Sequence, residues 1–429
     1  MCRSEAGPDV SAPSNSAEAR AEAKPAADLE TRLERRQKAV VRRRRRRWAV
    51  LGAIVVLLLS PVVYSYTTTM LQPSSLPLGV RSVEWLRANH GNWLVDTAEH
   101  YYYSWQAPDK GGPQLKSLPA VGLARTARTS PRTTSSLHAR NHPAVWPPSI
   151  RPVFARPLPG EGVWRRTGPL VAGHPPVLVT TFRTERDYPR IVAYVAWFDS
   201  KRTALAFYPG RYEPPSAPVR GPMSVPYSQR WRLLATFNAA FIYAQGHNGS
   251  TDNGRVNEPL SDGNATLVGY QNGGVAIVKW SGGANAGPNV AWARQSLAPI
   301  VWNGRLNPAL NTDPNSYEWG YTLGGVGRVW RTGVGIDRRG NLIFVVADDQ
   351  TVITLAEILQ HVGAVRAMEF DINPEWHTLI TYAHHRGQLV PAMVEPQPMQ
   401  SVDRYLVRDN RDFFAVYRRV PGPVTVPFK

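Results

Sequence analysis

Residues 365–379, VRAMEFDINPEWHTL, run from an apolar strand-like stretch straight into Asp371, a turn and a second acid, Glu375. A carboxylate at the end of a core strand is rigidly held, and partial burial can tune it for proton transfer. The same aspartate followed by Ile-Asn-Pro also starts an Asx turn unaided. Glu375 and His377 add an acid and a titratable ring, and paired carboxylates are what glycosidic bond cleavage usually requires. Read blandly, Glu375 is an exposed turn residue and Trp376 a core residue. Two more segments carry polar groups at strand ends. In FNAAFIYAQGHNG, Asn238 can donate to and accept from a polar ligand, or bond its own backbone. In VWRTGVGIDRRGN, Arg331 and Thr332 precede two glycines. An arginine fork suits a phosphate or carboxylate, and the glycines permit close backbone approach. An exposed arginine beside a hairpin fits equally well.

NGSTDNGRVNEPLSDGNATL, residues 248–267, matches no calcium-loop spacing and reads as a mobile surface loop. There is no G-x-S-x-G, Walker loop, H-E-x-x-H or CxxC, and the His384–His385 pair has no nearby ligand partner. Neither a metal nor a cofactor is expected.

The elements that must hold these groups are mostly strands. PVLVTTFRT, RIVAYVAWFD, TALAFYPG, ATLVGY, GVAIVKW and NLIFVVAD are β-branched and aromatic runs bounded by Gly, Asn, Asp and Pro. One helix stands among them, TLAEILQHVG, with Thr354 and Glu357 read as a capping box and Gly363 as its end. The spacing predicts an α+β domain, strand-rich with a mixed sheet, over residues 151–429.

Ahead of it the chain is organised differently. Residues 1–47 are expected to be a solvated basic tail, with a short helix across LETRLERRQKAV, ending in six arginines, Arg42 to Arg47. Residues 48–66, WAVLGAIVVLLLSPVVYSY, carry no charge, match the length of a bilayer-crossing helix, and have Trp48, Tyr64 and Tyr66 at their ends. The preceding arginines put the N-terminus in the cytoplasm and the remainder outside. A cleaved signal peptide fits less well, because no small-x-small site follows. Residues 67–150 read as a juxtamembrane amphipathic helix over 81–106, lying near the membrane surface or equally well packed on the domain behind it, followed by a flexible linker rich in Pro, Ser, Thr and Arg.

The net charge is +18 over 429 residues. Residues 1–48 hold 13 Lys+Arg against 7 Asp+Glu, so +6 is local and +12 is spread over the rest. That excess suits an anionic polymer. Nucleic acid is not the expected partner, since topology already explains the arginine run. The single cysteine, Cys2, excludes an intramolecular disulfide.

Taken in order, FNAAF, SDGNATLVGYQNGGVAIVKW, SLAPIVWNGRLN, RTGVGIDRRGNLIFVV and TLAEILQHVGAVRAMEFD resemble the phosphodiester glycosidase family. The resemblance implies hydrolysis of sugar–phosphodiester bonds. It places Asn238, Arg331, Thr332 and Asp371 on pocket positions. Arg331 and Thr332 would clamp phosphate, Asn238 would position sugar or phosphate, and Asp371 would be the acid, base or orienting carboxylate. An anionic envelope glycopolymer is the substrate this suggests. Two departures stand out. Ala239 and Ala240 replace glycines, and Ile-Asn-Pro-Glu-Trp replaces the Gly-Gly-Gly-Ser that follows the aspartate in the family. Pro374 removes a backbone donor and Trp376 fills space. Either Glu375 or Trp376 joins a pocket for another substrate, or catalysis has been lost and a binding module remains.

Overall fold

The computed structural model describes residues 16–74, 76–122, 146–216, 221–245, 248–313, 317–320, 322 and 327–420. The first fifteen residues of the expected tail, and 123–145 of the expected linker, lie outside them. The chain divides into two compact units between Leu71 and Gln72. In the first, helix α1 spans Ser16–Leu71, and its part from Arg35 to Leu71 is long and apolar enough to cross a membrane.

The second unit opens with two helices, α2 (Leu78–Ala88) and α3 (Asn92–Gln106), where one had been expected over 81–106. The break has a local cause. His90 adopts φ 64°, and a Cβ on Gly91 would lie 2.9 Å from the Leu86 carbonyl oxygen, so a helix cannot continue through this corner.

The rest is strand-rich α+β. The large sheet is ordered β1 (Arg165–Arg166), β2 (Val177–Arg183), β3 (Val192–Phe198), β14 (Leu342–Gln350), β13 (Val329–Asp337), β15 (Ala364–Glu369), β11 (Val301–Trp302) and β12 (Arg305–Leu306). A second sheet is ordered β7 (Arg255–Glu258), β6 (Ser250–Asp252), β10 (Val290–Gln295), β8 (Ala265–Tyr270) and β9 (Val275–Lys279). The third is ordered β17 (Gln388–Met393), β16 (Leu379–His385), β5 (Leu233–Asn238), β18 (Phe413–Arg418) and β4 (Thr203–Tyr208).

β2 and β3 are buried along their whole length, which is why they read as continuous apolar runs rather than alternating ones. One face of the large sheet, with Tyr194, Phe344, Val346 and Phe370, packs on Phe237, Leu379 and Phe414 of the third sheet and its flanks, and on Leu267, Ile277 and Trp292 of the second. The other face, with Val195, Trp197 and Val345, packs on helix α4 (Val352–His361). Gly333 and Gly335 of β13 belong to that contact. A Cβ on either would come within 3 Å of Leu359 or Ala364. These two glycines of RTGVG therefore admit the helix, not a ligand.

The α4 cap lies one turn earlier than the sequence suggested. Thr351 is the N-cap, and its side chain and that of Thr354 bond each other's backbone N–H; Glu357 takes no part. Thr351→Ala should cost about 1 kcal/mol, read as a lower urea midpoint with unchanged slope. The stretch expected to be a mobile loop is instead the β6–β7 hairpin leading into β8. Ser250, Thr251, Asp252 and Asn257 are buried. Polar side chains gave this hairpin no hydrophobic period, and pairing of β6 with β10 rather than an apolar face holds it.

Candidate functional site

Three segments far apart in sequence converge at one end of the sheets: the end of β5, the start of β13 and the chain leaving β15. Pairing of β13 with β15 continues past the formal strand end, with Thr332 N–H bonding the Asp371 carbonyl at 2.8 Å and Phe370 N–H bonding the Thr332 carbonyl at 2.8 Å. The Thr332 hydroxyl accepts from Asp371 N–H at 3.0 Å and from Asn238 Nδ2 at 3.0 Å. Asn238 also donates to the Ala239 carbonyl, and its Oδ1 accepts from Thr378 N–H at 3.0 Å. So Asn238 bonds its own backbone and also ties β5, β13 and the approach to β16 together. Asn238 and Thr332 are buried, and Asp371 is partly exposed at the edge of the cluster.

Asp371 does begin an Asx turn: its Oδ1 accepts from Asn373 N–H at 3.0 Å, and Asn373 Oδ1 in turn accepts from Glu375 N–H at 2.8 Å. Burial of the carboxyl group pushes its pKa up to about 6, opposed by the nearby Arg411 and Arg404 guanidiniums. The turn and the tuned carboxylate are thus the same residue, not rival explanations of it.

Arg331 is buried and its fork is engaged. Nη1 bonds Glu369 Oε1 at 2.5 Å and Nε bonds the Gln350 carbonyl at 2.8 Å. Burial pushes Glu369 up to about 7 against that arginine. Glu375 is buried, in contrast to the exposed turn residue expected. Its Oε2 lies 3.3 Å from Arg87 of α2, an arginine that also bonds Glu99 of α3 at 2.5 Å. Desolvation pushes Glu375 up to about 7 against Arg87. Trp376 is 1% exposed, packed on Leu76 and Val80, with the Arg411 and Arg404 guanidiniums 4.4 and 5.0 Å from its ring centre. No face of that ring is open to a ligand. Its sequence neighbour His377 stacks on Trp330 at 4.1 Å, and burial together with Arg404 drives its pKa down to about 3, so it stays neutral.

Four charged residues outside the expected set, Arg404, Arg411, Arg294 and Asp412, lie around the cluster. Arg404 bonds Asp409, the Trp376 carbonyl and Thr378, which fixes the loop after Asp371 from below. Arg294 bonds Asp412 at 2.7 Å and the carbonyls of Ala240 and Phe241, which fixes the loop after Asn238. The available signal was RYLVRDNRDFF, an unusual density of both charges entering an apolar strand. A cavity of about 390 Å³ lies elsewhere, lined by Phe198, Leu205, Ile336 and Val416 among others, and includes none of these residues. No group of ligands able to hold a metal ion occurs among the described residues.

Glu395 shows what burial does here without an arginine in bonding distance. Its Oε1 accepts from Leu379 N–H at 2.9 Å, Oε2 has no partner, and burial pushes the pKa from 4.5 to about 8. Below pH 4.5 both folded and unfolded states hold the proton; between there and pH 8 only the unfolded state releases it. Stability linked to this group is therefore complete at low pH and is lost as pH rises to about 8, on the order of 3–5 kcal/mol in all. Glu395→Gln should raise Tm above wild type at pH 8 and much less at pH 5, as thermal unfolding at both pH values would report.

The site is thus a set of tuned carboxyls and guanidiniums at one end of a strand-rich α+β domain. Within it, residues 234–371, from β5 through Asp371, match the model of the phosphodiester glycosidase family. No curated protein matches the chain. Among solved structures, the zebrafish N-acetylglucosamine-1-phosphodiester alpha-N-acetylglucosaminidase catalytic domain, auto-inhibited by its pro-peptide, is similar at 14% identity and TM-score 0.39. That likeness covers 59% of this chain and 87% of that one. A hypothetical protein from Synechocystis is similar at 14% identity and TM-score 0.33, over 58% of this chain and 63% of that one.

Proposed function

We propose that this chain is a membrane-anchored hydrolase, with residues 151–429 outside the cytoplasm, that cleaves sugar–phosphodiester bonds in an anionic envelope glycopolymer. One observation carries the reading: Asp371 donates its backbone N–H to the Thr332 hydroxyl that Asn238 also bonds, and its carboxyl group, pushed up to about 6 by burial, sits near two guanidiniums. A carboxyl group with that pKa exchanges protons near neutrality. In this reading Asp371 is the acid or base, and Asn238 and Thr332 position it and the sugar. Arg411, partly exposed and close enough to Asp371 to lower its pKa, meets the phosphate. Arg331, held by Glu369, positions β13 rather than clamping the ligand.

A second reading, a binding module without turnover, is favoured by the covered loop: Arg87 holds Glu375, and Leu76 and Val80 cap Trp376. Full-length protein in detergent, incubated with a panel of sugar-1-phosphodiesters and extracted envelope polymer, separates the two. Release of sugar supports the hydrolase; polymer binding with no release on any substrate supports the module and overturns the hydrolase.

A further inference from the structure

Helix α3 has two unlike faces. Val95 is buried in the second unit, and Glu99 turns inward to Arg87. On the opposite half, Trp93, Tyr101 and Trp105 recur at spacings of eight and four residues with Leu94 beside them, and they are 67%, 72%, 83% and 47% exposed. At 100° per residue these four span about a third of the helix circumference, while Asp96 and Glu99 fall on the other side. A contiguous exposed patch of this kind marks an interaction surface.

Its composition selects the partner. Three of the four groups are Trp or Tyr, whose rings are apolar in body and polar at one edge. Such rings suit the boundary between headgroups and acyl chains. Only residues 72–91 separate α3 from the end of the helix that is apolar enough to cross a membrane, and eleven of those are in α2. Even fully stretched, that tether reaches about 50 Å. The surplus of +12 outside residues 1–48 adds attraction to anionic headgroups.

We propose that α3 lies in the plane of the membrane surface, with Trp93, Leu94, Tyr101 and Trp105 in the headgroup–acyl boundary of the bilayer. The test uses full-length protein in nanodiscs of phosphatidylcholine and phosphatidylglycerol. With Cys2→Ser as background, an NBD fluorophore is placed on Tyr101→Cys or, as a control, on the exposed Lys201→Cys. The label at 101 is expected to emit to the blue of the control and to be quenched by brominated lipid, with the control unaffected by both. Adding Trp93→Ser and Trp105→Ser, both at exposed positions, should abolish the quenching while the protein stays folded by circular dichroism. A label at 101 that reports water and is not quenched overturns the proposal. So does a blue shift without lipid quenching that grows with the number of chains per disc, because a second copy would then cover the face.

Discussion

Asp371→Asn is expected to lower kcat/KM on a cleavable sugar-1-phosphodiester by about 10²–10⁴-fold, the usual worth of a positioned proton-transfer group. The substitution is chosen because it spares the fold. The Asn side-chain oxygen can still accept from Asn373 N–H, and the backbone bonds of residue 371 with Thr332 do not involve the side chain. Relief of a carboxyl whose charged form is disfavoured by burial should leave Tm unchanged or slightly raised. The wild-type pH profile gives an independent reading. If Asp371 acts as base or nucleophile, kcat/KM should fall as pH drops through about 6, where its carboxylate takes up a proton. The limb should be missing in Asp371→Asn. Arg411→Met should shift it upward, since the guanidinium is the largest of the influences that lower this pKa. Unchanged turnover in Asp371→Asn would remove the residue from the chemistry and leave it as the turn former alone.

How far the sequence disclosed this arrangement depends on what each residue bonds. The strands of the large sheet were legible because burial on both faces leaves uninterrupted runs such as Val192–Phe198. α4 was legible because Leu355, Ile358 and Leu359 keep a helical period, although its cap lies elsewhere: the box closes between Thr351 and Thr354, not between Thr354 and Glu357. Asn238, Thr332 and Asp371 were each visible as polar residues at strand ends. Their junction was not, since 94 residues separate the Asn238 and Thr332 side chains and 39 separate Thr332 from Asp371. Glu375 was misjudged because its burial depends on Arg87, 288 positions away. Local spacing carries turns and periods; it carries no information on which distant charge comes to neutralise a buried one.

That last point makes the Arg294–Asp412 pair the most consequential structural substitution. Asp412→Ala should destabilise the protein by about 3–5 kcal/mol, because it strands a fully buried guanidinium. The cost reaches the site. Arg294 holds the Ala240 and Phe241 carbonyls immediately after Asn238, and Tyr243 donates to Asp412 at 2.9 Å while its ring lies 3.9 Å beneath the guanidinium. Turnover on any substrate should therefore fall together with stability in the single variants. Arg294→Met with Asp412→Leu removes both charges at once and should recover part of the loss in urea denaturation, since neither partner is then left buried alone. The two carbonyls would still lack their donor, so activity should recover less than stability does. Equal recovery of both would mean that the loop after Asn238 is held by packing of Ala239, Ala240 and Phe241 rather than by the arginine.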